Sequence, residues 1–297
     1  MTDEYTVILN AQSGKIKGQA KIDLVEQALQ SAGVAYRLQL TQYRGHGLEI
    51  ARQAAQEGRP AVVAVGGDGT IHEIVNGLLQ GAADNAVPTL GIIPLGSAND
   101  LASVLQLPQD VQAACVRLAL GNSRLIDVGT VNDHYFVNNS AVGLEPVVTI
   151  TQDQMRQFNG SLRYVLAALK VIASAQTWEM RLDWGSGMYE GPVVLVSVGN
   201  SPRTGGVFYM TPQAEVDNGL LDFVFAVGMR RDQMMRLLPK IFNGSHIHHP
   251  LVTYLKTQKL TITATPATPI QADGEIIDET ALEITYQILP KHLRVIV

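Results

Sequence analysis

Residues Ala61 to Thr70, AVVAVGGDGT, constrain this chain more than any other stretch, because a short apolar run rich in valine stops on two glycines and a carboxylate. Ala61 to Val65 reads as a strand buried on both faces, as in a parallel sheet. From Thr70 onward the apolar spacing at Ile71, Ile74, Val75, Leu78 and Leu79 is helical. The loop between them is a strand-to-helix turn. In an open α/β sheet ligands gather at the carboxyl ends of strands, where glycines let backbone N–H groups approach a phosphate and the helix N-terminus favours an anion.

The flanking sequence repeats the alternation. Tyr5 to Ala11 reads as a strand, Lys17 to Ala32 as a helix through Ile22, Leu24, Val25 and Leu29, Ala35 to Leu40 as a second strand and His46 to Gln56 as a second helix. Thr89 to Ile93 is a further buried strand, followed by Pro94-Leu95-Gly96-Ser97-Ala98-Asn99-Asp100 and a helical pattern from Leu101 to Leu105. This is βαβαβ, hence a parallel sheet, and the turns at 10–15, 66–70 and 94–100 are expected along one edge of it. Near residue 125 the texture changes to strand pairs separated by turn residues. Asn132-Asp133 signals a hairpin between LIDVGTV and HYFVNNSAVG, and Gly185-Ser186-Gly187 a second one. Helices at Ser161 to Ser174 and Asp232 to Phe242 interrupt these strands, and further strands are read at 220–227, 259–265 and 282–289. The expected architecture is an α/β nucleotide-binding domain over 1–125 and a β-rich antiparallel domain over 126–281. Residues 282–297 return to the first domain, and a cleft separates the two.

Composition narrows the class. With 297 residues, 46% hydrophobic and 16% charged, the chain can bury a large core. No apolar run reaches the length of a spanning helix and the start MTDEYT is polar, so the expectation is a cytoplasmic protein. A net charge of −5 argues against a general nucleic-acid surface, and the single cysteine, Cys115, reads as a small core residue on a helix face.

Gly66-Gly67-Asp68-Gly69-Thr70 lacks the lysine of a Walker loop and is not G-x-G-x-x-G. A carboxylate inside a phosphate-type turn makes sense where a divalent cation or water bridges it to the phosphate; the alternative is a tight turn with Asp68 as a helix cap. Gly96, Asn99 and Asp100 put a second carboxylate at the next strand end and Lys15 supplies a cation, which together compose a Mg-nucleotide site. Pro212 to Leu221 is a turn whose oxygens could hold a second, structural cation, or an ordinary Asp-Asn-Gly hairpin turn. Met229 to Phe242 is basic on one side and rich in Met, Leu and Phe on the other, as a core helix with solvated arginines or one touching an anionic membrane surface. His246, His248 and His249 read as a polar loop.

Taken together, GGDGT followed by His72-Glu73-Ile74-Val75-Asn76-Gly77-Leu78, then Gly96-Ser97-Ala98-Asn99-Asp100, resembles the bacterial diacylglycerol kinase-like lipid kinases. These are related to sphingosine and ceramide kinases and more distantly to NAD kinases and phosphofructokinases. The resemblance extends through Asn10 to Lys15, Gly199-Asn200 with Gly205-Gly206, Pro212 to Leu221 and Asp273-Gly274-Glu275, covering nearly the whole chain. It implies a phosphofructokinase- and NAD kinase-like first domain and an ATP- and Mg²⁺-dependent kinase. Asn10, Gly66, Gly67, Asp68, Gly69, Thr70, Gly96 and Asn99 would bind nucleotide, and Asp100 and Lys15 would join the Mg²⁺ network. The resemblance further implies Asp273 as the base that takes the proton of an attacking hydroxyl, with Glu275 beside it, and a structural metal with Asp217 and Leu220 supplying ligands. The implied acceptor is a diacylglycerol-like lipid at the inner membrane face, reached by peripheral contact, with a homodimer among the expected partners. Two alternatives stand beside it: a kinase for a soluble acceptor such as NAD or a sugar phosphate, and a non-catalytic nucleotide-binding regulator.

Overall fold

The structure, a computed structural model, describes residues 4–14, 16–82, 86–155, 160–174 and 176–297. The chain forms two compact units, one of Met1–Ile126 with Lys291–Val297 and the other of Asp127–Pro290.

The first unit runs β1 (Tyr5–Leu9), α1 (Gln19–Ser31), β2 (Tyr36–Leu40), α2 (His46–Gln56), β3 (Ala61–Gly66), α3 (Asp68–Ala82), β4 (Thr89–Pro94), α4 (Asp100–Val104) and α5 (Val111–Leu120). Its strands lie parallel in the order β2-β1-β3-β4, and Val295 pairs in parallel with Leu90 on the far side of β4. The apolar run of β3 is buried throughout, as its lack of alternation requires. Because β2 is added on one side of β1 and β3 on the other, the strand order reverses between β1 and β3. A crevice opens at such a reversal, outside the carboxyl ends of the strands. The helices α2 and α3 pack with unusually close backbones: a Cβ on Gly77 would lie 2.8 Å from Ala51 Cβ, and one on Gly81 would lie 2.9 Å from Arg52 Cα. Glu73 of α3 closes this pair by accepting the N–H groups of Gly45 (2.7 Å) and Gly47 (3.0 Å) at the start of α2. Cys115 is buried on α5, and burial pushes its thiol up to about 11, which leaves it a core residue.

The second unit is built from β5 (Ser123–Val131), β6 (His134–Phe136), β7 (Asn139–Gly143), α6 (Leu144–Gln154), α7 (Gly160–Ser174), β8 (Trp178–Asp183) and β9 (Met188–Gly199). It continues with β10 (Leu221–Val227), α8 (Arg231–Ile241), a 3₁₀ turn (Ser245–His248), β11 (Val252–Thr257), β12 (Lys259–Ala272) and β13 (Glu275–Ile296). Its sheet is antiparallel through β11-β10-β9-β7-β12-β13, with β8 pairing β9 and β12, and β5 pairing β6 and β13. The Asn132-Asp133 and Gly185-Gly187 turns join β5 to β6 and β8 to β9 as the sequence leads one to expect. One expected strand differs: HYFVNNSAVG is two strands, interrupted at Val137 and Asn138, whose N–H groups are taken by the Asp273 carboxylate (3.1 and 2.8 Å) instead of a neighbouring strand. Helix α6 begins directly after Gly143, a residue at φ 82 where a Cβ would lie 2.7 Å from Val194 O. Helix α8 is amphipathic, with Met234 and Leu237 buried and Arg236 exposed beside Asp232, 3.3 Å away.

Candidate active site

Three turns meet at the strand ends of the first unit. Asn10 N–H donates to Val65 O (3.2 Å) and the Asn10 amide to Thr70 Oγ1 (3.5 Å), while Leu95 N–H donates to Gly66 O (2.8 Å). Two glycine contacts bring them close enough to share a surface. A Cβ on Gly67 would lie 2.9 Å from Gly96 Cα, and one on Gly14, at φ 76, would collide with Leu95 O. Only glycine permits backbones to approach this closely. The Gly67 carbonyl accepts the Thr70 (3.0 Å) and Ile71 (3.1 Å) N–H groups, which opens α3 toward the shared surface with its first-turn amides.

Asp68 has a definite structural partner. Its Oδ1 accepts the backbone N–H of Asp100 at 2.7 Å, so it ties the turn after β3 to the start of α4. Asn99 holds a left-handed conformation (φ 52, ψ 48), accepts Gly96 N–H at 2.9 Å and donates to Gln109 Oε1 at 3.0 Å. Both Asn99 and Asp100 are buried. Gly66, Gly67, Asp68, Gly69, Thr70, Gly96, Asn99, Asp100 and Asn10 thus form one cluster, and Lys15 lies outside the described residues.

The cation that the structure does place under these turns is Lys21. It is fully buried, and its Nζ donates to Asn10 O (2.8 Å), Ser13 O (3.1 Å) and Ser13 Oγ (2.9 Å), clamping the first turn from beneath. Burial pushes its ammonium down from 10.5 to about 8. The sequence carried a signal for it: Lys21 falls on the same α1 stripe as Val25, Ala28 and Leu29, all buried, and a charge on an apolar stripe needs partners.

In the second unit Asp273-Gly274 is the two-residue turn between β12 and β13, with Ala272 opposite Glu275 and both turn residues at positive φ (49 and 85). The Asp273 carboxylate accepts three backbone N–H groups, from Val137, Asn138 and Asn139 (3.1, 2.8 and 3.2 Å), and Asp273 N–H donates back to Asn139 O at 2.8 Å. Three of the roughly four lone-pair positions of a carboxylate are engaged in this way. Gly274 N–H donates to Gln271 Oε1 at 2.7 Å, and Glu275 stands half-buried at the first position of β13.

An apolar cavity of about 80 Å³ lies in the same unit, walled by α6, α7 and α8 against β9 and β10. Val148, Ile172, Phe208, Met210, Met234 and Leu237 line it, with Glu145 and His246 among the few polar side chains on its wall. His246, read from sequence as part of a polar loop, lies in the 3₁₀ turn and is buried, with its Nε2 3.1 Å from Met210 O. Burial holds its imidazole below the ordinary value.

The turn before β10 is not a hairpin. Gly219 N–H donates to Asp127 Oδ2 (2.6 Å) and Leu220 N–H to Asn218 Oδ1 (2.9 Å), while Asp217 is exposed. Among the described residues no group of three or more His, Cys, Asp or Glu side chains is placed to hold a metal. Asp127, on β5, is engaged by the Gly219 amide through one of its two carboxylate oxygens. Among the described residues no helix is long and apolar enough to cross a membrane.

Residues 4–131 match the family model of the diacylglycerol kinase catalytic domain, and residues 139–297 match that of the YegS C-terminal NAD kinase beta sandwich-like domain. The chain belongs to the diacylglycerol kinase-like lipid kinase family. Within this family a "Probable lipid kinase YegS-like" of Chromohalobacter salexigens is 33% identical over 91% of this chain and 86% of its own. A diacylglycerol kinase of Bacillus subtilis is 28% identical over 91% of this chain and 88% of its own. Two solved structures share the fold. A diacylglycerol kinase of Bacillus anthracis superposes with a TM-score of 0.74 at 20% identity over 99% of this chain and 96% of that one. The yeast NADH kinase complexed with NADH gives 0.51 at 10% identity over 98% and 82%. Membership makes the chain a kinase with the α/β and antiparallel β-rich units described above.

Proposed function

We propose that this kinase transfers the γ-phosphoryl group of ATP to the free hydroxyl of a diacylglycerol-like lipid. The observation that carries the reading is the apolar cavity in the second unit, a feature that a soluble acceptor such as a dinucleotide or sugar phosphate does not need. The donor side is supported by the three glycine turns and the N-terminus of α3 at the strand-order reversal. Asp68 and Asp100, joined through one hydrogen bond, are the carboxylates this unit offers to Mg²⁺ arriving with the nucleotide, where the ion would neutralise phosphate charge. The exposed Arg231, Arg236 and Lys240 of α8 suit peripheral contact with an anionic inner membrane face.

The acceptor hydroxyl attacks phosphorus as the bond to the β-phosphate oxygen breaks and ADP leaves with that electron pair, so the hydroxyl proton needs an acceptor. Of the two acids, Asp273 spends three of its roughly four lone-pair positions on the amides that bend β6 into β7. Glu275 is therefore the proton acceptor in this reading and Asp273 its positioning residue, a division that differs from the sequence-based expectation of Asp273 as base. The test is to incubate the purified chain with γ-labelled ATP, Mg²⁺ and a total lipid extract, then follow the label. Label in the organic phase supports the reading, and label confined to water-soluble products overturns it. Glu275→Gln should then lose at least about 100-fold in kcat with folding intact, and full turnover by that variant would return the base to Asp273.

A further inference from the structure

Glu145 is the most unusual ionisable residue of the second unit. It lines the apolar cavity and is 5% exposed. Its Oε1 accepts two side-chain amides, from Asn139 (3.1 Å) and Gln271 (3.2 Å), whereas its Oε2 is buried without a hydrogen-bond partner. A buried polar atom left this way is costly unless something completes it. The Ser197 hydroxyl stands near enough to the carboxyl to favour its charged form, but neither it nor Oε2 meets a partner in full hydrogen-bond geometry.

The two amide donors fix which oxygen is which. Both engage Oε1, so in the acid form the proton resides on Oε2, which becomes an O–H donor within an apolar wall. Burial pushes this carboxyl up to about 7, so the acid form is well populated near neutrality. What completes an O–H donor is an acceptor, and on a lipid with apolar arms the acceptor nearest the chains is an ester carbonyl.

The same two amides lead to the turn that carries the acids. Asn139 N–H donates to Asp273 Oδ1 (3.2 Å), and Gln271 Oε1 accepts Gly274 N–H (2.7 Å). Glu145 is thus linked to the Asp273-Gly274 turn through two residues, by the side chain and backbone N–H of Asn139 and by the side-chain amide of Gln271. In a diacylglycerol the free hydroxyl and the nearest ester lie on adjacent carbons, so a group that grips the ester sets the position of the hydroxyl. We propose that Glu145 is the specificity-determining residue of the acceptor site, donating a hydrogen bond to an ester carbonyl of the lipid and thereby selecting acyl over alkyl-ether lipids. This rests on the lipid-acceptor reading above. The cavity takes only a few methylene groups as it stands, and the adaptable side chains Met210, Met229 and Met234 on its wall are the ones that yield to a longer chain.

The test compares a short-chain 1,2-diacylglycerol with the matched 1,2-dialkylglycerol in mixed micelles, with label from γ-labelled ATP followed for the intact chain and for Glu145→Gln and Glu145→Leu. Wild type should prefer the diester by about tenfold or more in kcat/KM, the loss expected when a buried donor goes unanswered. Glu145→Gln, which keeps an N–H donor, should retain the preference. Glu145→Leu should bring the ratio to about one with the KM for ATP unchanged. Equal wild-type use of diester and diether overturns the proposal without any variant, as does a Glu145→Leu enzyme that loses both activities in proportion. Label on neither lipid instead overturns the lipid-acceptor reading and the proposal with it.

Discussion

Lys21→Met is the sharpest test of how the glycine turns of the first unit are held. Two opposing magnitudes can be set against each other. Three hydrogen bonds from a charged donor, to Asn10 O, Ser13 O and Ser13 Oγ, contribute about 1.5–3 kcal/mol each. Against them stands the cost of burying the ammonium, read from its fall from 10.5 to about 8. That difference of about 2.5 pH units, at about 1.4 kcal/mol per unit, costs about 3.5 kcal/mol. The hydrogen bonds win, so the methionine variant should be less stable by about 1–5 kcal/mol at pH 7, with weaker ATP binding because Asn10 and Ser13 lose their anchor. The pH dependence has a definite sign. The unfolded chain keeps this proton up to 10.5 and the folded chain releases it near 8, so the burial penalty is fully present below pH 8 and fades as pH rises toward 10.5. Urea unfolding of both proteins at pH 7 and pH 9.5 should show the wild-type advantage growing by about 2 kcal/mol, the other lysines cancelling in the difference. A gap that does not change with pH, or a methionine variant as stable as wild type with unaltered ATP affinity, would refute the reasoning.

Two further outcomes follow from the same unit. Gly67→Ala places a methyl 2.9 Å from Gly96 Cα and must push the turns after β3 and β4 apart; kcat/KM for ATP should fall on the order of 100-fold while the circular dichroism spectrum is retained. Glu73→Ala removes the acceptor of the Gly45 and Gly47 N–H groups, and should lower unfolding free energy by about 1–2 kcal/mol with the KM for ATP unchanged.

How far the sequence could be read depended on the range of the forces concerned. The strands and helices of the first unit follow from local periodicity, and β3 with its glycine turn is visible because burial on both faces leaves an unbroken apolar run. The partners of polar groups are non-local and were not visible. Asp68 accepts the N–H of Asp100, 32 residues away in sequence, a pairing that no local pattern signals. Asp273 reaches back to Val137, 136 residues earlier, and that reach breaks a strand whose residues alone suggest continuity. Glu145 gave no signal at all, since nothing in GLEPVV says which oxygen will be left without a donor or acceptor.

The return of residues 291–297 to the first unit also orders the protein's assembly in time. Val295 pairs with Leu90, Val297 N–H donates to Asn122 O at 2.8 Å, and Ile296 is buried in the same core as Val7, Val63 and Cys115. During synthesis the far edge of β4 therefore stays open until every residue from 127 to 290 has left the ribosome. An uncovered parallel edge is a template for wrong pairing, so the nascent chain passes through a vulnerable interval that ends only with these seven residues. The first unit, begun first, is finished last, and its sheet is completed only after the second unit has been made.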